Sequence, residues 1–150
     1  MNRTQLAGLS LSAAALVGIA LHEGYSPVAY TPVPGDVPTI GFGTTQGVKP
    51  GDTMTRAEAD MRLAKEVSEF AEGVAKLCTR RPTDNQLAAM TALAFNIGLG
   101  AFQRSSVLRH HNAGNFNQAR AAFALWNKAG GKVLAGLVRR RAAEAQLYGA

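Results

Sequence analysis

Residues 22–45, HEGYSPVAYTPVPGDVPTIGFGTT, constrain the fold more than any other stretch of the chain. Pro32, Pro34 and Pro38, with Gly35 between them, exclude a helix there, because proline lacks the amide hydrogen and fixes φ. The flanking segments, Val28-Ala29-Tyr30 and Thr39-Ile40-Gly41-Phe42, are β-branched and aromatic, so the spacing predicts a β-hairpin with Pro32 to Pro38 as its turn. An apolar run, Leu6 to Leu21, precedes the hairpin and places Glu23 at the C-terminal end of a first helix, against the hairpin mouth. Gly43 to Asp52 is a polar, glycine-rich loop, with a short third strand expected near Val48.

The rest reads as helices. Thr55-Arg56-Ala57-Glu58 is a capping box, and Leu63, Val67, Phe70, Val74 and Leu77 form one apolar stripe behind it. Arg80-Arg81-Pro82 interrupts the chain. Thr83-Asp84-Asn85-Gln86 is a second capping box, opening a helix buried through Leu87, Met90, Leu93, Ala94 and Ile97. Ser105 or Ser106 caps a short helix that ends near Asn112-Ala113-Gly114. Residues 116–126 predict another helix, with Phe123 and Trp126 facing inward. Residues 128–132 read as a turn, and 133–148 as a final helix with Arg139, Arg140 and Arg141 on its surface. The expected fold class is therefore α+β, mostly helical, with a small N-terminal hairpin sheet and a helical C-terminal lobe.

Two acids stand out around the hairpin. Glu23 follows an apolar run, which favours its protonated form and suits it as a general acid. Asp36 sits in the polar turn. One dry and one wet carboxylate across a cleft are the apparatus for cleaving a glycosidic bond. Gly41 and Gly43 would let a sugar approach the backbone closely, or would serve only to bend the hairpin. Other chemistries find less support. The lone Cys78 forms no internal disulfide and reads as a structural thiol. His110 and His111 are adjacent, point apart on a helix and lack further ligand spacing, so they read as solvated histidines and no metal is expected. There is no Ser-His-Asp arrangement and no phosphate-binding glycine loop.

Three stretches together resemble the bacteriophage lysozymes, or endolysins, of glycoside hydrolase family 24. They are Glu23-Gly24 through Thr39-Ile40-Gly41-Phe42-Gly43; Ala94-Phe95-Asn96-Ile97-Gly98 with Ala101-Phe102 and Ser105-Ser106; and Trp126 through Gly130-Gly131-Lys132, Gly136-Leu137 and Arg139-Arg140-Arg141. The resemblance implies a two-lobed lysozyme-like fold in a single domain. Its parts would be a first helix or weak signal-anchor over 1–22, a catalytic hairpin lobe over 23–54, a connecting helix over 55–78 and a helical lobe over 79–150. It also implies hydrolysis of the β-1,4 bond between N-acetylmuramic acid and N-acetylglucosamine, without a cofactor. Glu23 would be the general acid, and Thr39 would help to position the attacking water. Gly43, Phe95, Asn96 and either Ser105 or Ser106 would face the substrate, unless Phe95 belongs to the core. The family's Asp two residues after the Tyr is replaced here by Pro32, in a turn one residue longer. Either Asp36 reaches the same space, or the second carboxylate is missing and a weakened wall-binding protein of the same fold remains. The family's His after Gly-x-Gly is Thr44 here, so any role of that His is lost.

Charge and the apolar run bear on partners. Residues 1–100 carry 8 Lys+Arg against 9 Asp+Glu, and residues 101–150 carry 8 against 1. Such a cationic block suits an anionic polymer, and with the resemblance the expected partners are peptidoglycan glycan strands and the anionic bacterial envelope, with no specific nucleic acid. Residues 6–21, rich in Ala, Gly and Ser, would span about 24 Å as a helix, short of the roughly 30 Å of a hydrocarbon core. They read as a buried first helix, as a weak signal-anchor that associates transiently with the inner membrane and then escapes, or as a cleaved signal peptide. The expected location is the host cytoplasm or inner membrane, with action on the wall in the periplasm.

Overall fold

The computed structural model describes residues 24–32 and 34–150. The apolar run 6–21 and Glu23 lie outside the described residues. The chain divides into two compact units, a hairpin unit that ends at Ser68 and a helical unit over Glu69–Ala150.

In the hairpin unit, β1 (Ser26–Tyr30) pairs antiparallel with β2 (Thr39–Gly41), with Ser26 opposite Gly41 and Tyr30 opposite Thr39. Four steps on β1 face two on β2, so β1 carries the excess as a bulge. Beyond β1 a third segment pairs at Thr53 rather than near Val48. Ala29 N–H donates to the Asp52 carbonyl at 2.9 Å, and Met54 N–H to the Pro27 carbonyl at 2.8 Å. Val48 is kept out of the sheet because the chain turns there: Lys49 N–H donates to Asp52 Oδ2 at 2.8 Å and Asp52 N–H to the Lys49 carbonyl at 3.1 Å.

The core of this unit is Ile40, Phe42, Met54, Ala59, Leu63 and Val67. Gly41 sits inside it at φ +64°, and a Cβ there would lie 2.8 Å from Met54 Sδ and 3.3 Å from Ala59 Cβ. Packing as well as the turn therefore demands glycine at this position. The helix α1 (Arg56–Leu77) starts at the expected capping box: Glu58 N–H donates to Thr55 Oγ1 at 3.2 Å, and Thr55 N–H to Glu58 Oε2 at 3.1 Å.

In the helical unit, α2 (Asp84–Ile97) starts at the second capping box, closed by Thr83 and Gln86. Leu87, Met90, Leu93 and Ala94 are buried along it. A short helix absent from the sequence reading, α3 (Leu99–Gln103), follows Gly98, whose φ of +91° turns the chain between the two. Next is α4 (Ser106–Asn112), capped by Ser105, whose hydroxyl accepts from Leu108 N–H at 3.2 Å. The helix expected over 116–126 is α5 (Phe116–Ala122), and its continuation at Phe123–Leu125 tightens to 3₁₀ geometry, as helix ends commonly do. Phe123 is buried and Trp126 partly buried against the core.

The expected turn at 128–132 is a minimal hairpin, β3 (Lys128–Ala129) with β4 (Lys132–Val133). Gly130 and Gly131, at φ +57° and +77°, supply the two left-handed residues that a tight hairpin loop needs. Because Lys132 and Val133 belong to this hairpin, the last helix α6 begins at Ala135 and runs to Tyr148. The core joins Val74 of α1 to Phe102, Val107, Phe123 and Tyr148.

Candidate functional site

The hairpin places its candidate residues in contrasting settings. Asp36 is exposed at the turn, and its Oδ1 accepts from the Val37 N–H at 2.9 Å. Thr39 begins β2 and is buried, its hydroxyl donating to the Val37 carbonyl at 3.3 Å. Both side chains thus bond to the same short Val37 segment, three residues apart in sequence. Gly43 is exposed with φ +95°. Thr44 is buried, and its hydroxyl donates to Glu66 Oε1 at 3.0 Å. A pocket of about 380 Å³ in this unit is lined by Ile40, Val48, Asp52, Met54 and Arg62 among others, and neither Asp36 nor Thr39 contributes to it.

One anchor of this unit escaped the sequence reading. The Tyr25 hydroxyl donates to the Met54 carbonyl at 2.9 Å, and its ring lies 5.6 Å from that of Phe42. The Arg56 guanidinium covers both rings, at 5.2 Å from Tyr25 and 4.8 Å from Phe42. The chain just after Glu23 is pinned in this way. The signal was an aromatic at each end of the hairpin, with a basic residue at the start of α1.

In the helical unit, Phe95 is partly buried near the end of α2, its ring 5.2 Å from Phe70 in an edge-on contact. Asn96 is exposed, and its Oδ1 accepts from Arg141 Nη1 at 3.0 Å. Ser105 is buried as the cap of α4, while Ser106, the first residue of that helix, is partly exposed. Phe95 and Asn96 are therefore chain neighbours on α2, and Ser105 and Ser106 chain neighbours at the start of α4.

Two sequence expectations fail here. Arg141 is not a surface residue: it is 1% exposed. Its Nη2 donates to Glu144 Oε1 at 2.9 Å, and its Nε makes an ion-pair contact with Glu144 Oε2 at 2.8 Å. Burial pushes the Glu144 carboxyl up to about 7, against the pull of Arg141 and Arg140. The single acid of residues 101–150 is thus consumed internally. His111 is likewise not solvated. It is fully buried, with Nδ1 2.7 Å from the Tyr148 hydroxyl and Nε2 2.9 Å from the Arg80 carbonyl. A carbonyl only accepts, so Nε2 carries the hydrogen and Nδ1 accepts from Tyr148. Burial, above all, holds the ring's pKa below its ordinary value. Cys78 is a free, partly buried thiol pushed up to about 11 by burial, in keeping with a structural role.

The fold is mostly helical α+β, and comparison with known proteins gives the family. The phage lysozyme model matches residues 20–144, and the chain belongs to that family. It is 39% identical to an endolysin of Bacillus phage B103 over 93% of its own length. The match spans only 54% of that endolysin, so the chain corresponds to about half of it. It is 36% identical to the SAR-endolysin of Pseudomonas phage phiKMV, over 96% of this chain and 90% of that protein. Among solved structures, the muramidase domain of SpmX from Asticaccaulis excentricus superposes with a TM-score of 0.85 at 34% identity, covering 93% of this chain and 97% of that one.

Proposed function

We propose that this protein is an endolysin that hydrolyses bacterial peptidoglycan at the β-1,4 bond between N-acetylmuramic acid and N-acetylglucosamine, lysing the host cell. The observation that carries this reading is the family match over residues 20–144, which spans every residue of the candidate site. Glu23 protonates the leaving glycosidic oxygen. Asp36, exposed on the turn, activates water on the opposite face of the sugar, and Thr39 orients that water. Gly43, Phe95, Asn96 and Ser106 contact the glycan, and Ser105 holds the start of α4 in place for them.

The anionic envelope is the second partner. Of the basic residues in 101–150, Arg141 is engaged internally, and exposed Lys128, Lys132 and Arg139 are available to attract acidic headgroups and peptides. Residues 6–21 act as a releasable inner-membrane anchor, which delivers the enzyme to the periplasm. The SAR-endolysin among the relatives supports that route. Among the described residues, no helix is long and apolar enough to cross a membrane.

The test is digestion of purified sacculi, followed by reduction and mass spectrometry of the fragments. New reducing ends on N-acetylmuramic acid are expected, with clearing of chloroform-treated Gram-negative cells. Glu23→Gln should abolish both, by at least 10²-fold. New reducing ends on N-acetylglucosamine would overturn the assigned bond. Sacculus binding without any cleavage would instead establish a wall-binding protein.

A further inference from the structure

Among the described residues Arg141 is the bulkiest fully buried side chain, and its guanidinium has only donors to offer. Glu144 accepts a hydrogen bond from Nη2 and lies in ion-pair contact with Nε, and the third nitrogen, Nη1, lies 3.0 Å from the side chain of Asn96. Which way an asparagine amide points is usually a matter of inference, because its oxygen and nitrogen look alike. Here chemistry decides it. No atom of a guanidinium accepts a hydrogen bond, so the amide atom facing Arg141 is the oxygen. The NH₂ group is turned away from Arg141, on a residue that is itself exposed. A buried ion pair contributes little net stability over an apolar pair of the same volume. This one has a geometric consequence instead: it holds a surface amide in one of its two orientations.

We propose that the Arg141–Glu144 pair is a positioning device that presents the Asn96 NH₂ as a hydrogen-bond donor to the acetamido carbonyl of an N-acetylated sugar. The proposal rests on the reading of this chain as a peptidoglycan hydrolase and names the substrate group that Asn96 recognises. Sugar hydroxyls both donate and accept, so they would bond to either end of a freely turning amide. An acetamido carbonyl only accepts, and only the orientation imposed by Arg141 suits it. A held donor of this kind discriminates against glycans that lack the acceptor, because the amide is then left without its partner.

The experiment compares wild type, Asn96→Asp, Asn96→Ala and the double variant Arg141→Met/Glu144→Leu on N-acetylated and chemically de-N-acetylated glycan strands. Asn96→Asp keeps an acceptor for Arg141 but has no donor for the sugar. It should raise KM on N-acetylated glycan about tenfold, more than it lowers kcat, with an unchanged Tm. The double variant removes both charges together, so no buried charge is left unpaired, and it should raise KM in the same direction. De-N-acetylation should raise KM for wild type and leave Asn96→Ala unaffected. A purely structural role for the pair would move Tm and leave KM and the acetyl preference alone. Equal KM values for wild type and Asn96→Asp would overturn the proposal. If wild type cleaves neither glycan, the hydrolase reading fails separately. Calorimetric affinity for an N-acetylglucosamine oligomer then decides the role of the amide: weaker binding by Asn96→Asp sustains it, and equal binding overturns it.

Discussion

The hairpin unit and the helical unit are built on different principles. Residues 24–68 depend on turns, a bulged two-stranded sheet and individual side-chain bonds such as Tyr25 to Met54 and Thr44 to Glu66, around a small core. Residues 69–150 are mainly helices around one continuous core, and two of their buried polar side chains are held by bonds within the unit: His111 to Tyr148 and Arg80, and Arg141 to Glu144 and Asn96. The first arrangement leaves a carboxylate such as Asp36 exposed on a turn. The second gathers its buried apolar side chains into one cluster, where stability is concentrated. If that division holds, mutations should separate cleanly into those that cost stability and those that cost turnover.

The largest effect should come from the core of the helical unit. Phe102 is completely buried, and Phe102→Ala should destabilise by about 3–5 kcal/mol in urea unfolding, through lost burial and the cavity left behind. A loss below about 1 kcal/mol would mean that this core is far less tightly packed than its burial indicates.

Next comes Asp36→Asn in the hairpin unit. It should cut turnover on the order of 10²-fold, in line with loss of a general base, and leave thermal stability unchanged. The side chain's bond from Val37 N–H can be accepted equally well by an asparagine oxygen. Full activity of this variant would make Asp36 a turn residue only, and leave Glu23 to act with a water held at Thr39.

The smallest effect is a pH dependence. His111 has a pKa below its ordinary 6.5 in the folded state, first because it is buried. Below pH 6.5 the unfolded chain therefore binds a proton that the folded chain does not, and stability falls as pH falls. Unfolding curves between pH 7.5 and 5 should show wild type losing more stability than His111→Gln, by up to about 1.4 kcal/mol per pH unit. Identical slopes would show that His111 does not couple folding to protons.

The parts legible from the chain alone were those decided over a few residues. The prolines made the turn, Thr55 with Glu58 and Thr83 with Gln86 closed their capping boxes, and Ser105 capped α4, each through bonds reaching three residues along the chain. Alternating three- and four-residue spacing likewise placed Leu63, Val67 and Val74 inside. Tertiary structure alone decided the rest. Counting charges put Arg141 on the surface and adjacency put His111 in solvent, yet Arg141 bonds to Asn96 across 45 residues, and His111 to Arg80 and Tyr148 across 31 and 37. Gly41 owes its place to Met54 and Ala59, and the third segment of the sheet pairs at Thr53 because the Lys49–Asp52 turn delivers it there. A polar side chain is buried only when packing brings its partner to it, and a partner tens of residues away leaves no periodicity or local motif in the sequence to announce it.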